Sequence, residues 1–218
     1  MRLAKGMPNW LVIMPALSLV CLLIYALWVP SFPLLIISPF ILAVHILMLL
    51  FFRDPDRSIG EGIVSPADGR IVRIERSGRD CFVSIFMNVH NVHVNRSPGN
   101  ASVLSVQHIP GGYAPAFSKE SDSNERVITR LRAENGIWEM TQIAGTVARR
   151  IVPYWKEGDL VLKGQRIGMI RFGSRVDLSF KMPRGMDLCV DVGEKVKAGS
   201  SSLAVPARSA PPPGKRRI

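Results

Sequence analysis

The chain has 218 residues, which is room for one modest domain with accessory segments. Its formal net charge of +11 favours an anionic partner. The basic residues are spread through the chain and form neither a basic helix nor an aromatic-studded RNA motif, so we expect an anionic membrane surface as partner and no nucleic acid. Cys21, Cys81 and Cys189 show no metal-type or redox spacing and are expected to be reduced, structural thiols.

The N-terminal part carries a long uncharged run. Between Lys5 and Arg53 there are 47 residues without Asp, Glu, Lys or Arg. Pro-Ser-Phe-Pro splits the run into two apolar segments, about 10–29 and 34–52. Each has roughly the 20 residues that cross about 30 Å of hydrocarbon. A cleaved signal peptide would have a shorter core and a small-residue cleavage site. We therefore expect residues 1–53 to form a transmembrane helical hairpin.

Basic residues flank this hairpin on both sides. Arg2 and Lys5 precede it, and Arg53 and Arg57 follow it. Because cytoplasmic flanks are enriched in Lys and Arg, both ends are predicted to lie in the cytoplasm. The expected location is the cell membrane, with the rest of the chain on the cytoplasmic side.

Residues 54–206 show short alternating runs broken by Gly, Pro, Asn and Asp. Strands are predicted at 81–86, 101–108, 126–131, 138–143, 166–172 and 175–180. Residues 144–152 are compatible with a short helix. The expected fold is mainly β, a compact β-sandwich or barrel. Residues 207–218, with three prolines and a Lys-Arg-Arg run, are predicted to be a disordered basic tail.

Related Gly-Asp phrases occur at 66–72, 157–165 and 192–199. They are similar to turns of lipoyl and biotinyl hammerhead domains, and ordinary β-turn chemistry is the alternative. We expect lipoyl-hammerhead-like turns. A carrier role is disfavoured because no lysine stands in the hairpin setting that swinging-arm domains use.

Three places combine reactive side chains with strand-like surroundings. Asp68 precedes a glycine, so by itself it indicates a turn. His90 and His93 point to opposite faces of a straight strand, and they share a site only if the chain turns near His90. No third ligand cluster accompanies them, so no metal site is predicted. The Gly173-Ser174 pair interrupts a strand pattern, which by itself indicates a bulge.

Several phrases occur together in a characteristic order. They are residues 51–57 (Phe-Phe-Arg-Asp-Pro-Asp-Arg), 65–69 (Ser-Pro-Ala-Asp-Gly), 92–96 (Val-His-Val-Asn-Arg), 143–152 (Ile-Ala-Gly-Thr-Val-Ala-Arg-Arg-Ile-Val) and 171–177 (Arg-Phe-Gly-Ser-Arg-Val-Asp). The set resembles the short form of the phosphatidylserine decarboxylase proenzymes, a group that includes archaetidylserine decarboxylases. The likeness runs from about residue 10 to residue 206. The longer members carry Leu-Gly-Ser-Thr at the cleavage site, whereas here Phe172 and Arg175 flank Gly173-Ser174.

The resemblance implies an enzyme that makes its own cofactor. Ser174 would attack the carbonyl of Gly173, and elimination and hydrolysis would leave a pyruvoyl group at residue 174. The resemblance assigns His93 as the base and Asp68 as the carboxylate that orients it, a triad logic. The fragments 1–173 and 174–218 would remain together as a heterodimer.

The pyruvoyl carbonyl would then form a Schiff base with the amine of a serine phospholipid and act as an electron sink for loss of CO₂. His93 or His90 would supply the proton that follows. The expected product is the ethanolamine phospholipid. The alternative from another class is a non-enzymatic membrane-anchored adaptor with a lipoyl-like domain, which gives no reason for the Ser174, His93 and Asp68 set.

Overall fold

The computed structural model describes residues 2–5, 13–27, 32–112, 114, 123–145, 150–171 and 174–207. The chain divides into two compact units, Met1–Pro55 and Asp56–Ile218. Gly173 of the predicted cleavage site lies outside the described residues, and so does the predicted tail after Ala207.

The first unit is a helical hairpin with a short strand at each end. In chain order it contains β1 (Arg2–Leu3), α1 (Met14–Leu27), α2 (Phe32–Phe51) and β2 (Arg53–Asp54). The helices contact each other, and β1 pairs antiparallel to β2. Two helices therefore lie where the sequence has its two apolar segments. In the part of the hairpin that is described, neither helix has both the length and the apolar character that a bilayer crossing requires.

Two serines join the helices inside the hairpin. The Ser18 hydroxyl donates to the Ser38 carbonyl at 2.9 Å, and the Ser38 hydroxyl donates to the Ser18 carbonyl at 3.0 Å. Both side chains are buried, whereas large apolar side chains such as Leu19 and Leu47 are exposed. Small hydroxyl residues let two apolar helices approach closely while satisfying their own polar groups.

The second unit consists of short strands, as the alternating pattern predicts. They are β3 (Ile63–Val64), β4 (Gly69–Ser77), β5 (Asp80–Met87), β6 (Val94–Arg96), β7 (Ala101–Ile109), β8 (Arg126–Ala133), β9 (Gly136–Ala144), β10 (Ile151–Pro153), β11 (Leu160–Val161), β12 (Arg166–Ile170), β13 (Ser174–Lys181), β14 (Met186–Leu188), β15 (Lys195–Val196) and β16 (Ser202–Pro206). All six predicted strands are present as β5, β7, β8, β9, β12 and β13.

Three antiparallel sheets make up this unit. The largest has eight strands in the order β11-β7-β8-β9-β13-β5-β4-β15, and the others are β10-β12-β6 and β14-β16-β3. The sheet β10-β12-β6 packs against the large one, since β10 and β12 both contact β9. The mainly β fold is confirmed. The barrel alternative is wrong for the strands described, because the large sheet ends at β11 and β15 instead of closing.

The short helix considered for residues 144–152 is wrong at both described ends. Ala144 is the last residue of β9, and Ile151 begins β10 opposite Ile170 of β12. A brief apolar run fits a buried strand as well as a helix, and pairing with β12 buries Ile151 as a strand residue.

Alternation along the central strands builds the core. Val83 and Ile85 of β5 and Val176 and Leu178 of β13 are fully buried on facing positions. The predicted turns are present, with Gly158 at φ 88° and Gly193 at φ 93°. These left-handed conformations favour glycine because it has no Cβ. The likeness of these turns to hammerhead domains stays a prediction.

Candidate active site

Ser174 is the first residue of β13 and lies inside the eight-stranded sheet. It pairs with Met87 of β5 on one side and with Ala144 of β9 on the other. Its side chain is fully buried. The sheet therefore holds the backbone of Ser174 from both sides, directly after the predicted cleavage point.

The Ser174 hydroxyl has a weak partner. It donates to the Sδ atom of Met87 at 3.3 Å. Because a thioether is a weak acceptor, this contact orients the hydroxyl but hardly resists removal of its proton. A serine hydroxyl needs a base before it becomes a good nucleophile.

His93 has the form that such a base requires. It is fully buried, and its carbonyl accepts a hydrogen bond from Ile170 at the end of β12 at 3.3 Å. Its Nδ1 lies 2.9 Å from the carbonyl oxygen of Asn91. Because a carbonyl only accepts, Nδ1 carries the hydrogen, and the neutral ring keeps its lone pair on Nε2. His93 can therefore take a proton through Nε2.

Two buried amides join the sheets beside Ser174. Gln142 Nε2 donates to Asn95 Oδ1 at 2.7 Å, and Asn95 Nδ2 lies 3.7 Å from Met87 Sδ. Gln142 stands opposite Val176 in the β9–β13 ladder, so its side chain is on the same face of the sheet as Ser174. We call this set the interlayer network: Met87, Asn95, Gln142 and Ser174.

The two histidines of the sequence motif are separated by a turn. The Asn91 N–H donates to the Asn88 carbonyl at 2.9 Å, and the Asn91 side chain accepts from the Asn88 N–H at 2.8 Å. His90 is exposed on this turn, whereas His93 is buried beyond it. His93 precedes Asn95 by two residues, and in an extended chain this spacing directs both side chains to the same side.

Asp68 is buried with a different set of partners. Arg57 donates to it through both terminal nitrogens, Nη1 to Oδ1 and Nη2 to Oδ2, the latter at 2.8 Å. The Ala198 N–H also donates to Oδ1 at 2.8 Å. Both carboxylate oxygens are thus engaged, and in the described structure none of these bonds reaches His93. The orienting role of Asp68 stays a prediction.

Asp68 and Ser174 nevertheless lie toward the same end of the strands of the eight-stranded sheet. Arg175 pairs with Phe86, and Phe86 pairs with Arg70. Ser174 directly precedes Arg175, and Gly69 directly precedes Arg70, so Ser174 and Gly69 lie at the same end of β13 and β4, and Asp68 is the residue before Gly69. One strand separates β13 from β4, so the distance across the sheet is about 10 Å at the usual strand spacing.

Comparison with known proteins identifies the family. The sequence matches the family model described as "Phosphatidylserine decarboxylase" over residues 44–204. The chain belongs to the phosphatidylserine decarboxylase family. A phosphatidylserine decarboxylase proenzyme from Streptomyces griseus is 54% identical over 159 residues, covering 72% of this chain and 73% of that protein.

Archaeal relatives are almost as similar. A protein of Methanococcoides burtonii, provisionally named archaetidylserine decarboxylase proenzyme, is 47% identical over 160 residues, covering 72% of this chain and 74% of that protein. One of Archaeoglobus fulgidus with the same provisional name is 52% identical over 151 residues, covering 69% and 74%. As a member of the decarboxylase family the chain is a carboxy-lyase. The non-enzymatic adaptor alternative is therefore wrong.

Three residues beside Ser174 were assigned no role in the sequence analysis, although Asn95 lies in the motif at 92–96. The contacts that link Gln142 to Asn95, Asn95 to Met87, and Met87 to Ser174 form only when the sheets are assembled. Gln142 carried a signal, since it occupies a buried position of a strand between Met140 and Ala144. A polar residue at a core position is informative because burial without a partner is costly.

The side chains around Ser174 are buried. The interlayer network is fully buried, and its two amides, Asn95 and Gln142, are uncharged. Gln142 Oε1 is buried and has no hydrogen-bond partner in the described structure, so an N–H donor entering the layer would satisfy it. Among all the residues that the structure describes, no group of three or more His, Cys, Asp or Glu side chains is arranged to hold a metal ion.

Proposed function

We propose that this chain decarboxylates a serine phospholipid, phosphatidylserine or archaetidylserine, after cutting itself between Gly173 and Ser174. The observation that carries the proposal is the combination of a buried Ser174 hydroxyl on a weak acceptor with a buried His93 whose Nδ1 is the protonated nitrogen. The names of the relatives support the substrate class.

Self-cleavage begins at the Ser174 hydroxyl. His93 Nε2 removes its proton, and the oxygen attacks the carbonyl carbon of Gly173 while the peptide C–N bond breaks, giving an ester and a free amine. Elimination of the ester leaves residues 1–173 with a carboxylate terminus and residue 174 as dehydroalanine. Water then releases ammonia and leaves a pyruvoyl group. A positioned base accounts for about 10² to 10⁴ in the rate of such a proton transfer.

Asp68 has two candidate roles in this step. As a triad member it would orient His93, and then it would have to exchange one of its bonds to Arg57. As a structural residue it would keep its pair with Arg57 and hold the turn before β4 against Ala198. The triad role is our proposal, and the pair with Arg57 gives the means to test it.

The pyruvoyl group supplies an electron sink during loss of the substrate carboxylate as CO₂. Side chains of the protein bind the lipid amine, exclude water and transfer the proton. Gln142 Oε1 accepts an N–H of the lipid amine, and the buried layer excludes water from the reacting atoms. His93 returns a proton to the α-carbon, and His90 on the exposed turn is the second candidate for that step.

The pairing of the strands supports a lasting association of the two fragments. In fragment 174–218, β13 lies between β5 and β9 of the larger fragment. In addition, β15 pairs with β4, and β16 pairs with β3. A cut before Ser174 would leave these ladders intact, so we propose that the mature enzyme is a heterodimer of its own fragments.

We further propose that the enzyme works at the cell membrane with its catalytic domain in the cytoplasm. Support comes from the uncharged run between Lys5 and Arg53, from exposed apolar side chains along α1 and α2, and from the net charge of +11. Basic residues near an anionic lipid surface contribute about 1 kcal/mol each. The ethanolamine product has one negative charge fewer than the substrate and would be held less tightly.

Intact-mass analysis of purified protein tests the central proposal. We expect two masses, for residues 1–173 and 174–218, the smaller fragment carrying a carbonyl that borohydride reduces. The Ser174→Ala variant should remain one chain. An active enzyme that consists of one uncut, carbonyl-free chain would disprove self-cleavage.

A further inference from the structure

Two arginines lie side by side at strand ends that lead to the cleavage site. Arg150 directly precedes β10, and Arg171 directly follows β12. Ile151 and Ile170 beside them are paired, and the Arg171 N–H donates to the Arg150 carbonyl at 3.3 Å. The two side chains therefore extend from neighbouring strands at the same end of the sheet β10-β12-β6.

The pair concentrates positive charge. Arg150 is exposed, and none of the ion pairs of the described residues includes it. Burial lowers the pKa of Arg171, and the charge of Arg150 lowers it further, while Tyr154 acts in the opposite direction. Like charges on neighbouring strands repel, and an anion bound to both guanidinium groups would relieve that repulsion.

Several other arginines of this unit form ion pairs with carboxylates. Among them are Arg57 with Asp68, Arg130 with Glu139 at 3.1 Å, Arg166 with Asp56 at 2.8 Å, and Arg175 with Asp177 at 3.1 Å. Each of these cations would have to give up a carboxylate before it could bind a new anion. Within the described part of the chain, Arg150 has no carboxylate partner to lose.

The pair is also within reach of the reacting residue. Arg171 precedes Ser174 by three residues, so in the uncut chain their Cα atoms are at most about 11 Å apart. In a serine phospholipid two carbons and one oxygen separate the amine from the phosphorus. When the amine of the lipid lies at residue 174, its phosphate is therefore within the length of an arginine side chain that extends from position 171.

A cavity of about 380 Å³ opens beside Arg150. Its lining includes Glu125 and His108, whose side chains contact each other at 3.1 Å. The Glu125 carboxylate of this cavity is thus paired with His108, and Arg150 is the arginine among the lining residues, whereas Arg171 lies outside the lining.

We propose that Arg150 and Arg171 form the subsite for the phosphate group of the serine phospholipid. The inference rests on the proposed function and extends it, since it names the residues that recognise the phosphodiester. Guanidinium groups match two phosphate oxygens in a fork geometry that lysine does not reproduce. Phosphate binding would fix the head group so that its amine meets residue 174.

The test uses the mature enzyme with serine phospholipid in nonionic detergent micelles, which carry no surface charge of their own. Arg150→Gln and Arg171→Gln should raise KM about tenfold or more, as expected for loss of a charged hydrogen bond. Arg150→Lys should recover part of this loss. Arg132→Gln, an exposed arginine of β8, is the matched control and should leave KM unchanged.

Soluble competitors separate the sources of the phosphate. Glycerophosphoserine should inhibit the enzyme competitively, serine at the same concentration should not, and Arg150→Gln should weaken the inhibition about tenfold. An unchanged KM in both glutamine variants, or an equal rise in Arg132→Gln, would overturn the subsite. Equal inhibition by inorganic phosphate in Arg150→Gln and the unaltered enzyme would overturn it as well. Failure of the unaltered chain to cut itself would instead refute the proposed function.

Discussion

Gln142 donates a hydrogen bond of 2.7 Å to Asn95, and this bond joins the eight-stranded sheet to the sheet β10-β12-β6 directly beside Ser174. Both amides are fully buried. The hydrogen bond fixes Asn95 against Met87, which is the partner of the Ser174 hydroxyl. The position of the nucleophile therefore depends on a contact between residues that are 47 positions apart in the chain.

Replacing Gln142 by leucine should slow self-cleavage and lower stability. The substitution leaves the buried Asn95 Oδ1 without its donor, which costs about 1–3 kcal/mol. Thermal unfolding and the fraction of cut chain on denaturing gels measure the two effects. Gln107→Leu, at an exposed position of β7, is the matched control and should change neither. Cleavage at the normal rate in a destabilised Gln142→Leu protein would show that the network is only structural.

Removing the two motif histidines one at a time should separate the two stages of the reaction. His93→Ala should slow self-cleavage by about 10² or more, because the base for Ser174 is lost. His90→Ala should be cut normally yet release CO₂ slowly, since His90 is exposed and its loss leaves the buried layer intact. Gel analysis and a CO₂-release assay measure the stages. Full turnover by His90→Ala would remove His90 from the mechanism.

Breaking the ion pair between Arg57 and Asp68 should be costly. Arg57→Gln leaves a buried carboxylate without its main partner, so the free energy of unfolding should fall by about 3–5 kcal/mol. Arg130→Gln breaks the pair with Glu139, which is exposed, and should cost less than about 1 kcal/mol. Denaturant unfolding compares the two.

The same pair separates the two roles of Asp68. If Asp68 orients His93, Asp68→Asn should slow self-cleavage strongly, whereas Arg57→Gln should not, once both proteins are compared at a temperature where they are folded. Equal slowing in both variants, with recovery in the double variant Arg57→Gln/Asp68→Asn, would identify a structural pair and exclude the triad role.

In the second unit, the thiol of Cys81 should be less reactive than that of Cys189. Burial raises its pKa, and the nearby charge of Arg76 opposes that effect only in part. A raised pKa means less thiolate at a given pH, so alkylation by iodoacetamide at pH 8 should label Cys189 before Cys81. In urea the two rates should become similar. Mass spectrometry of the labelled peptides measures both rates, and faster labelling of Cys81 in the folded protein would contradict the prediction.

The strands and the motif residues could be predicted from the sequence because their signals are local. Alternating side chains define β5 and β13, and Gly and Asp mark the turns between strands. The Gly173-Ser174 pair and the phrase around His93 were recognisable as motifs of the decarboxylase family. Closure of the sheet was not predictable, because it depends on which edge strands meet, and β11 and β15 do not pair with each other.

By itself, the sequence determined a mainly β domain behind two apolar segments and the identity of the candidate nucleophile, since these depend on periodicity, composition and short motifs. Only the tertiary structure decided what surrounds that nucleophile. It placed Gln142 against Asn95, turned Asp68 toward Arg57, and brought Arg150 beside Arg171. Such contacts join residues that are distant along the chain, and their partners are selected by sheet register and packing, which no local pattern encodes.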